Sequence, residues 1–271
     1  MERAAPIDVW DVATFDAELR RLLDARAQLI RDYRTESERL FNVREAQTLR
    51  GPPAQNIHGP AFSALREEIA ALMAERTIRA WHFTRLADHE VAAVRAKGLQ
   101  PMTLALIGER LDAARQAGLI DADLAVQLYE ASPYHHQIEG NRENRIWLTA
   151  QPYLLDDSGV EELLDRWGGE SISFVHREGG TLERLIQLGT PCVIEVALPM
   201  RITTRVEEAA TNVLDAFAQS IGVDGGWGGG ADMVAVEPIA PEWILAIHRE
   251  GERRFEAMGR GYPPAFTGRD W

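Results

Sequence analysis

Apolar residues recur near the helical period across residues 12 to 45, at Phe15, Leu19, Leu22, Leu23, Leu29, Ile30, Tyr33 and Leu40. This spacing predicts one long amphipathic helix whose stripe Arg26 interrupts, with Leu19, Leu22, Ile30 and Tyr33 substantially buried. The stretch RGPPAQNIHGP, residues 50 to 60, concentrates proline and glycine and reads as a linker. Beyond it Phe62, Leu65, Ile69, Leu72 and Met73 mark a second helix, with Arg66, Glu67, Glu68 and Glu75 mainly between them.

From Ile78 the texture changes. IRAWHFT is an aromatic, β-branched run and predicts a strand, after which Asp88 is placed to cap a helix over HEVAAVRAK that ends at Gly98 in a left-handed cap. Residues 104 to 130 predict two helices separated at Gly118, the second capped by Asp121, and RIWLT predicts a strand at 145 to 149. VEELLDRW reads as helix, SISFVH as strand, TLERLIQLG as a helix closed by Gly189, and CVIEVALP as a buried strand. A helix over 206 to 221 follows, with Val206, Ala210, Val213, Leu214 and Phe217 on one face, then the strand ADMVAVEPI and the segment PEWILAIHRE. Short strands mixed with irregular helices predict an α+β fold. The expected organisation is an N-terminal helical segment (1–50), a linker and helix (51–77), a catalytic domain (78–252) and a C-terminal surface extension (253–271).

Composition narrows the setting. The chain of 271 residues is 45% hydrophobic, enough for a substantial core. The single cysteine, Cys192, has no partner for an intramolecular disulfide, which points to a reducing compartment and hence the cytoplasm. The N-terminus MERAAPIDVW lacks a basic segment followed by an apolar one, and no run nears the roughly 20 apolar residues of a bilayer span, so neither ordinary secretion nor a membrane partner is expected. A net charge of -13 argues against nonspecific nucleic-acid binding.

Several chemistries lose their basis. There is no phosphate-binding G-x-x-x-x-G-K-[ST] loop, no G-x-S-x-G elbow and no Cys or His pair at zinc-site spacing, so no metal is expected; the adjacent His135 and His136 read as loop residues. Gly226, Gly228 and Ala231 form a G-x-G-x-x-A string, but a helix precedes it and a strand follows, the reverse of a dinucleotide fingerprint. The glycines from Gly222 to Gly230 are costly to order and suit a mobile substrate loop with Trp227 as an aromatic contact.

Three pieces in this order resemble the ADP-ribosyltransferase superfamily, in its histidine-first class of bacterial toxin or defence type. They are AWHFTRLADHEVAAVRAKGLQPM, with an aromatic-His-x-Thr strand end, a helix and Gly-Leu-x-Pro; RIWLTAQPYL; and GGADMVAVEPIAPEWILAI. The resemblance implies a split β-sheet with surrounding helices, preceded by the N-terminal helical segment, and NAD as substrate. His82 would hydrogen-bond the adenine-side ribose, Thr84 would orient the dinucleotide, Arg85 would meet the pyrophosphate, and Trp147 or Tyr153 would stack on nicotinamide. For Trp147, core packing is the competing reading, and for His82 it is a half-buried strand histidine bonded to backbone. Ser171 and Ser173 resemble the Ser-x-Ser strand of arginine-directed members, which open with arginine rather than histidine.

Asp232 falls where the superfamily commonly has its catalytic acid, most often glutamate. Aspartate is one methylene shorter, so its strand must approach more closely. Glu237 is the rival acid, on the opposite face of a regular strand. The implied reaction cleaves the nicotinamide–ribose bond, with Asp232 stabilising the oxocarbenium-like centre and His82 contributing alignment. The acceptor stays open between protein, nucleic acid, small molecule and water, so NAD glycohydrolysis is a close alternative. A noncatalytic interaction protein with a decayed site is the alternative from another class. The N-terminal helices are candidates to dock on the catalytic domain, dimerise, or bind an antitoxin or other partner protein.

Overall fold

In the computed structural model, which describes residues 5–47, 54–135, 142–223 and 232–258, a 3₁₀ turn leads into α1 (Ala17–Ala25), α2 (Ala27–Gln47) and α3 (Gly59–Ala74). Next come β1 (Thr77–Leu86), α4 (Asp88–Lys97), α5 (Leu104–Gln116), α6 (Ala122–Glu130) and β2 (Ile146–Thr149). The chain continues through α7 (Glu161–Asp165), α8 (Gly180–Gln187), β3 (Thr190–Pro199), α9 (Val206–Ser220), β4 (Asp232–Ala235), β5 (Ile244–Arg249) and α10 (Arg253–Met258). The class is α+β. No helix among the described residues is long and apolar enough to cross a membrane.

Two compact units divide the chain. The first comprises Met1–Arg79, Pro199–Arg201 and Arg205–Asp232. The single long helix expected over 12 to 45 is interrupted at Arg26, whose backbone has left helical geometry and donates to the Leu22 and Leu23 carbonyls, so α1 and α2 are separate helices. Asp16 caps α1 by accepting from the Glu18 and Leu19 amides at 3.0 and 2.9 Å. Leu19 and Ile30 are fully buried, whereas Leu22 and Tyr33 are half-buried. The ring of Tyr33 stacks on Phe62 of α3 at 3.8 Å between centroids.

α9 packs against α2 and α3 in this unit. It is covered on nearly every side: Asn212 and Asp215 are buried along with Ala210, Val213, Leu214 and Phe217. A helix read from sequence as one-faced thus lies in the interior of the first unit, although it falls within the expected 78–252 span.

The second unit comprises Ala80–Leu198, Ile202–Thr204 and Met233–Trp271 and carries an antiparallel five-stranded sheet in the order β4-β2-β1-β3-β5. β3 is buried along nearly its whole length and pairs with β5 from Cys192–Arg249 to Val196–Ile244. A satellite core gathers Ile107 and Leu111 of α5, Leu124 and Leu128 of α6, Leu185 of α8, and Trp167 and Ile172.

Four local expectations are corrected here. SISFVH forms a 3₁₀ turn and further turns rather than a strand, because Ser171 and Ser173 donate their hydroxyls to the Gly168 and Gly169 carbonyls and hold the backbone curled. Ala87, not Asp88, occupies the cap of α4, and its amide is taken by Glu90. Gly98 has φ +74 but ψ -164, so it is not a left-handed helical cap; a Cβ there would lie 1.8 Å from the Ile239 carbonyl oxygen, across the Leu99–Ile239 bridge. β4 stops at Ala235, short of the expected strand.

Candidate functional site

β1 presents the histidine. Side chains alternate along a strand, so His82 and Thr84 share one face and Trp81, Phe83 and Arg85 the other. Trp81 registers against Thr149 of β2, and nearby the Trp147 carbonyl accepts a hydrogen bond from His82 Nδ1 at 2.8 Å. A carbonyl can only accept, so the proton of the neutral ring sits on Nδ1 and Nε2 keeps its lone pair. Burial lowers the His82 pKa; the Trp147 contact opposes that shift, and the charge of Arg110 adds to it. His82 is therefore a neutral acceptor at neutral pH. Thr84, half-buried, has no side-chain hydrogen bond among the described residues.

Arg85 is engaged within the fold. Its Nε donates to the Leu188 carbonyl at 2.6 Å and one Nη to the Leu164 carbonyl at 3.1 Å. Burial lowers its pKa while remaining compatible with a charged guanidinium.

Trp147 lies two residues from Thr149 on β2, on the side of the ladder that carries Trp81. Arg142 covers its ring at 5.2 Å and is ion-paired with Glu170, while the buried indole Nε1 has no acceptor among the described residues. Tyr153 is half-buried in the irregular segment after β2. His135 closes a 3₁₀ turn with Nε2 2.9 Å from the Tyr129 carbonyl, whereas His136 lies outside the described residues.

Asp232 opens β4 as an exposed residue and ends a segment of the first unit, whereas His82 belongs to the second. Glu237 is also exposed but lies beyond the end of β4, so strand alternation does not relate it to Asp232. Trp227, Gly226, Gly228 and Ala231 lie outside the described residues.

One cluster escaped the sequence reading. Glu90 of α4 is buried and accepts from the Ala87 amide at 2.8 Å, from Trp167 Nε1 at 2.6 Å and from Arg110 Nε at 2.9 Å. The Arg110 guanidinium lies over the Trp167 ring at 5.3 Å. Burial alone would raise the Glu90 pKa, but the charge of Arg110 and these hydrogen bonds outweigh it and hold the carboxyl below its ordinary value. The available signal was glutamate at the third position of α4, where it can reach back to the cap amide; nothing local in GERLDAARQ distinguished Arg110 from a solvated helix charge.

Comparison with known proteins finds no matching family model, no matching curated protein and no matching solved structure.

Proposed function

We propose that this protein is an NAD-dependent ADP-ribosyltransferase of toxin or defence type, cleaving the nicotinamide–ribose bond and passing ADP-ribose to a macromolecular acceptor. The supporting observation is the state of His82: its proton is held on Nδ1 by the Trp147 carbonyl, its Nε2 lone pair is available, and the Thr84 hydroxyl stands on the same strand face. A neutral imidazole acceptor beside a hydroxyl suits a ribose diol, whose hydroxyls both donate and accept. Asp232 is assigned as the carboxylate that stabilises positive charge on the anomeric carbon as nicotinamide departs, an interaction stronger in the transition state than in the ground state.

The test is nicotinamide release from NAD by the full chain in the presence of cell extract as acceptor source. The proposal expects release with protein-bound or nucleic-acid-bound ADP-ribose. It also expects H82A and D232A each to lose at least about a hundredfold in rate with unchanged circular dichroism, the scale of removing one positioned transition-state contact. Free ADP-ribose as sole product would make the enzyme a glycohydrolase. No release under any condition would overturn the reading.

A further inference from the structure

Arg110 is held unusually firmly for an arginine that retains open surface. Its Nε is fixed on the buried Glu90 carboxylate and its plane lies over Trp167, yet its side chain keeps 17% exposure. Among the described residues neither Nη nitrogen has a hydrogen-bond partner, and neither is among the sealed-off unpartnered atoms. The Glu90 carboxylate is saturated on its own side by Ala87, Trp167 and the Arg110 Nε. The outer edge of the guanidinium is thus a rigid fork of N–H donors with no acceptor among the described residues.

Such an edge matches the paired oxygens of a phosphate, and pre-orientation lowers the entropic cost of using it. Arg85, by contrast, has already committed Nε and one Nη to backbone carbonyls. The charge of Arg110 also contributes to lowering the His82 pKa.

We infer that Arg110, clamped by Glu90 and Trp167, is the phosphate-binding arginine of this unit and takes the pyrophosphate of the dinucleotide, the part expected of Arg85. The ligand assignment rests on the proposed function; the anion site itself does not. Glu90 acts through Arg110 and is a positioning residue.

The experiment titrates the full chain calorimetrically with inorganic pyrophosphate and with ADP-ribose. R110K retains a cation for Glu90 but loses the fork, so both affinities should fall roughly tenfold to a hundredfold. R115Q, which removes an exposed charge on the same helix, should change them less than about twofold. Because a failed clamp could unfold this region, the doubly neutral E90Q/R110Q is measured alongside, with near-ultraviolet circular dichroism confirming the Trp167 environment. It should match R110K in binding while keeping a native spectrum. Unchanged affinities in R110K, an equal loss in R115Q, or no pyrophosphate binding by the unaltered protein would each overturn the inference. Nicotinamide release that persists with unaltered KM in R110K would sink the assignment of the dinucleotide pyrophosphate to Arg110 and leave the proposed function standing. Pyrophosphate binding lost in R110K, with no nicotinamide release by the unaltered protein, would do the reverse.

Discussion

The carboxylate of Glu195 on β3 lies 2.9 Å from Nε2 of His248 on β5, and their side chains are only 7% and 4% exposed. The pair joins an edge strand to its neighbour by side chains as well as by the backbone ladder. Removing one partner from a buried polar pair forfeits this bond while the other side chain stays desolvated. E195A is therefore expected to cost roughly 3–5 kcal/mol, whereas a double E195L/H248L replacement should cost far less. Urea unfolding of the three proteins checks this; equal losses in the single and double variants would show that packing volume alone decides the result.

Protonation of His82 should set an acid limb on activity. Burial is the leading cause that lowers its pKa, so the ring stays neutral well below the ordinary value of about 6.5. Nicotinamide release should be flat through neutral pH and decline only in more acidic solution, as Nε2 gains a proton and ceases to accept. His176 is lowered by the same desolvation, and its buried Nε2 has no partner among the described residues. For both residues the unfolded chain binds more protons than the folded one once pH drops below the unfolded value. Stability should therefore fall as pH decreases through that window and level off below the folded value. The slope of Tm against pH between about 6.5 and 5 should be shallower in H82Q and in H176Q; an unchanged slope in both would contradict the assignment.

Glu90 titrates in a lower window and with opposite chemistry. Its folded pKa is held below the ordinary value by Arg110 and three hydrogen bonds, against the opposing effect of burial. The stability it contributes is present above about pH 4.5 and is lost as pH falls through the folded value. In E90Q the neutral amide cannot repeat that loss, so the acid unfolding curve should begin at higher stability loss near neutrality and be flatter below pH 4.5. Acid titration monitored by tryptophan fluorescence, to which Trp167 contributes, measures it.

Much of this fold was legible because local signals agreed with the tertiary context. Asp121 caps α6 at the Leu124 amide as its position suggested, and the apolar run around Cys192 is the buried β3. Cys192 itself is pushed up to about 11 by burial, as an inert core thiol should be. Where the reading failed, contacts distant in sequence decided for α9 and local side-chain bonds for SISFVH. The partners of α9 lie more than a hundred residues upstream, so its nearly complete burial was invisible in an amphipathic pattern. SISFVH has strand composition, but two serine hydroxyls bonding nearby carbonyls curl it into turns. For the site, the residue types on β1 were readable, whereas the carbonyls that engage Arg85 and the buried carboxylate that holds Arg110 are met only in space.

Gly98 supplies a backbone prediction. Its φ of +74 disfavours any side chain, and the Ile239 carbonyl oxygen occupies the place of a Cβ. G98A should destabilise by more than about 1 kcal/mol, since relief requires breaking the Leu99–Ile239 bridge as well as adopting a strained φ. Gly59, with open space around its Cβ position and no positive φ, is the control, and G59A should be neutral or stabilising. Thermal unfolding of the two variants distinguishes backbone strain from a general effect of added methyl groups.

In the first unit, Arg34 of α2 is ion-paired with Asp215 of α9, which is 1% exposed, and Arg34 also lies over Phe62 of α3 at 5.8 Å. Among the described residues the pair is incompletely satisfied: Arg34 Nε and Asp215 Oδ2 are both buried without hydrogen-bond partners, and burial lowers the Arg34 pKa. A buried ion pair with unmatched polar atoms offsets its desolvation poorly, yet deleting either member alone leaves a charge in the interior. R34M and D215L are each expected to cost roughly 3–5 kcal/mol, while R34M/D215L should return to within about 1 kcal/mol of the parent or exceed it. The coupling energy from this double-mutant cycle measures how far the pair orders α2 against α9 rather than merely stabilising them. If the double variant regains stability but α2 becomes the first site of proteolytic cleavage, the ion pair specifies the docking of that helix. If stability and protease resistance return together, the apolar contacts of Ile30, Tyr33 and Phe62 suffice to dock it.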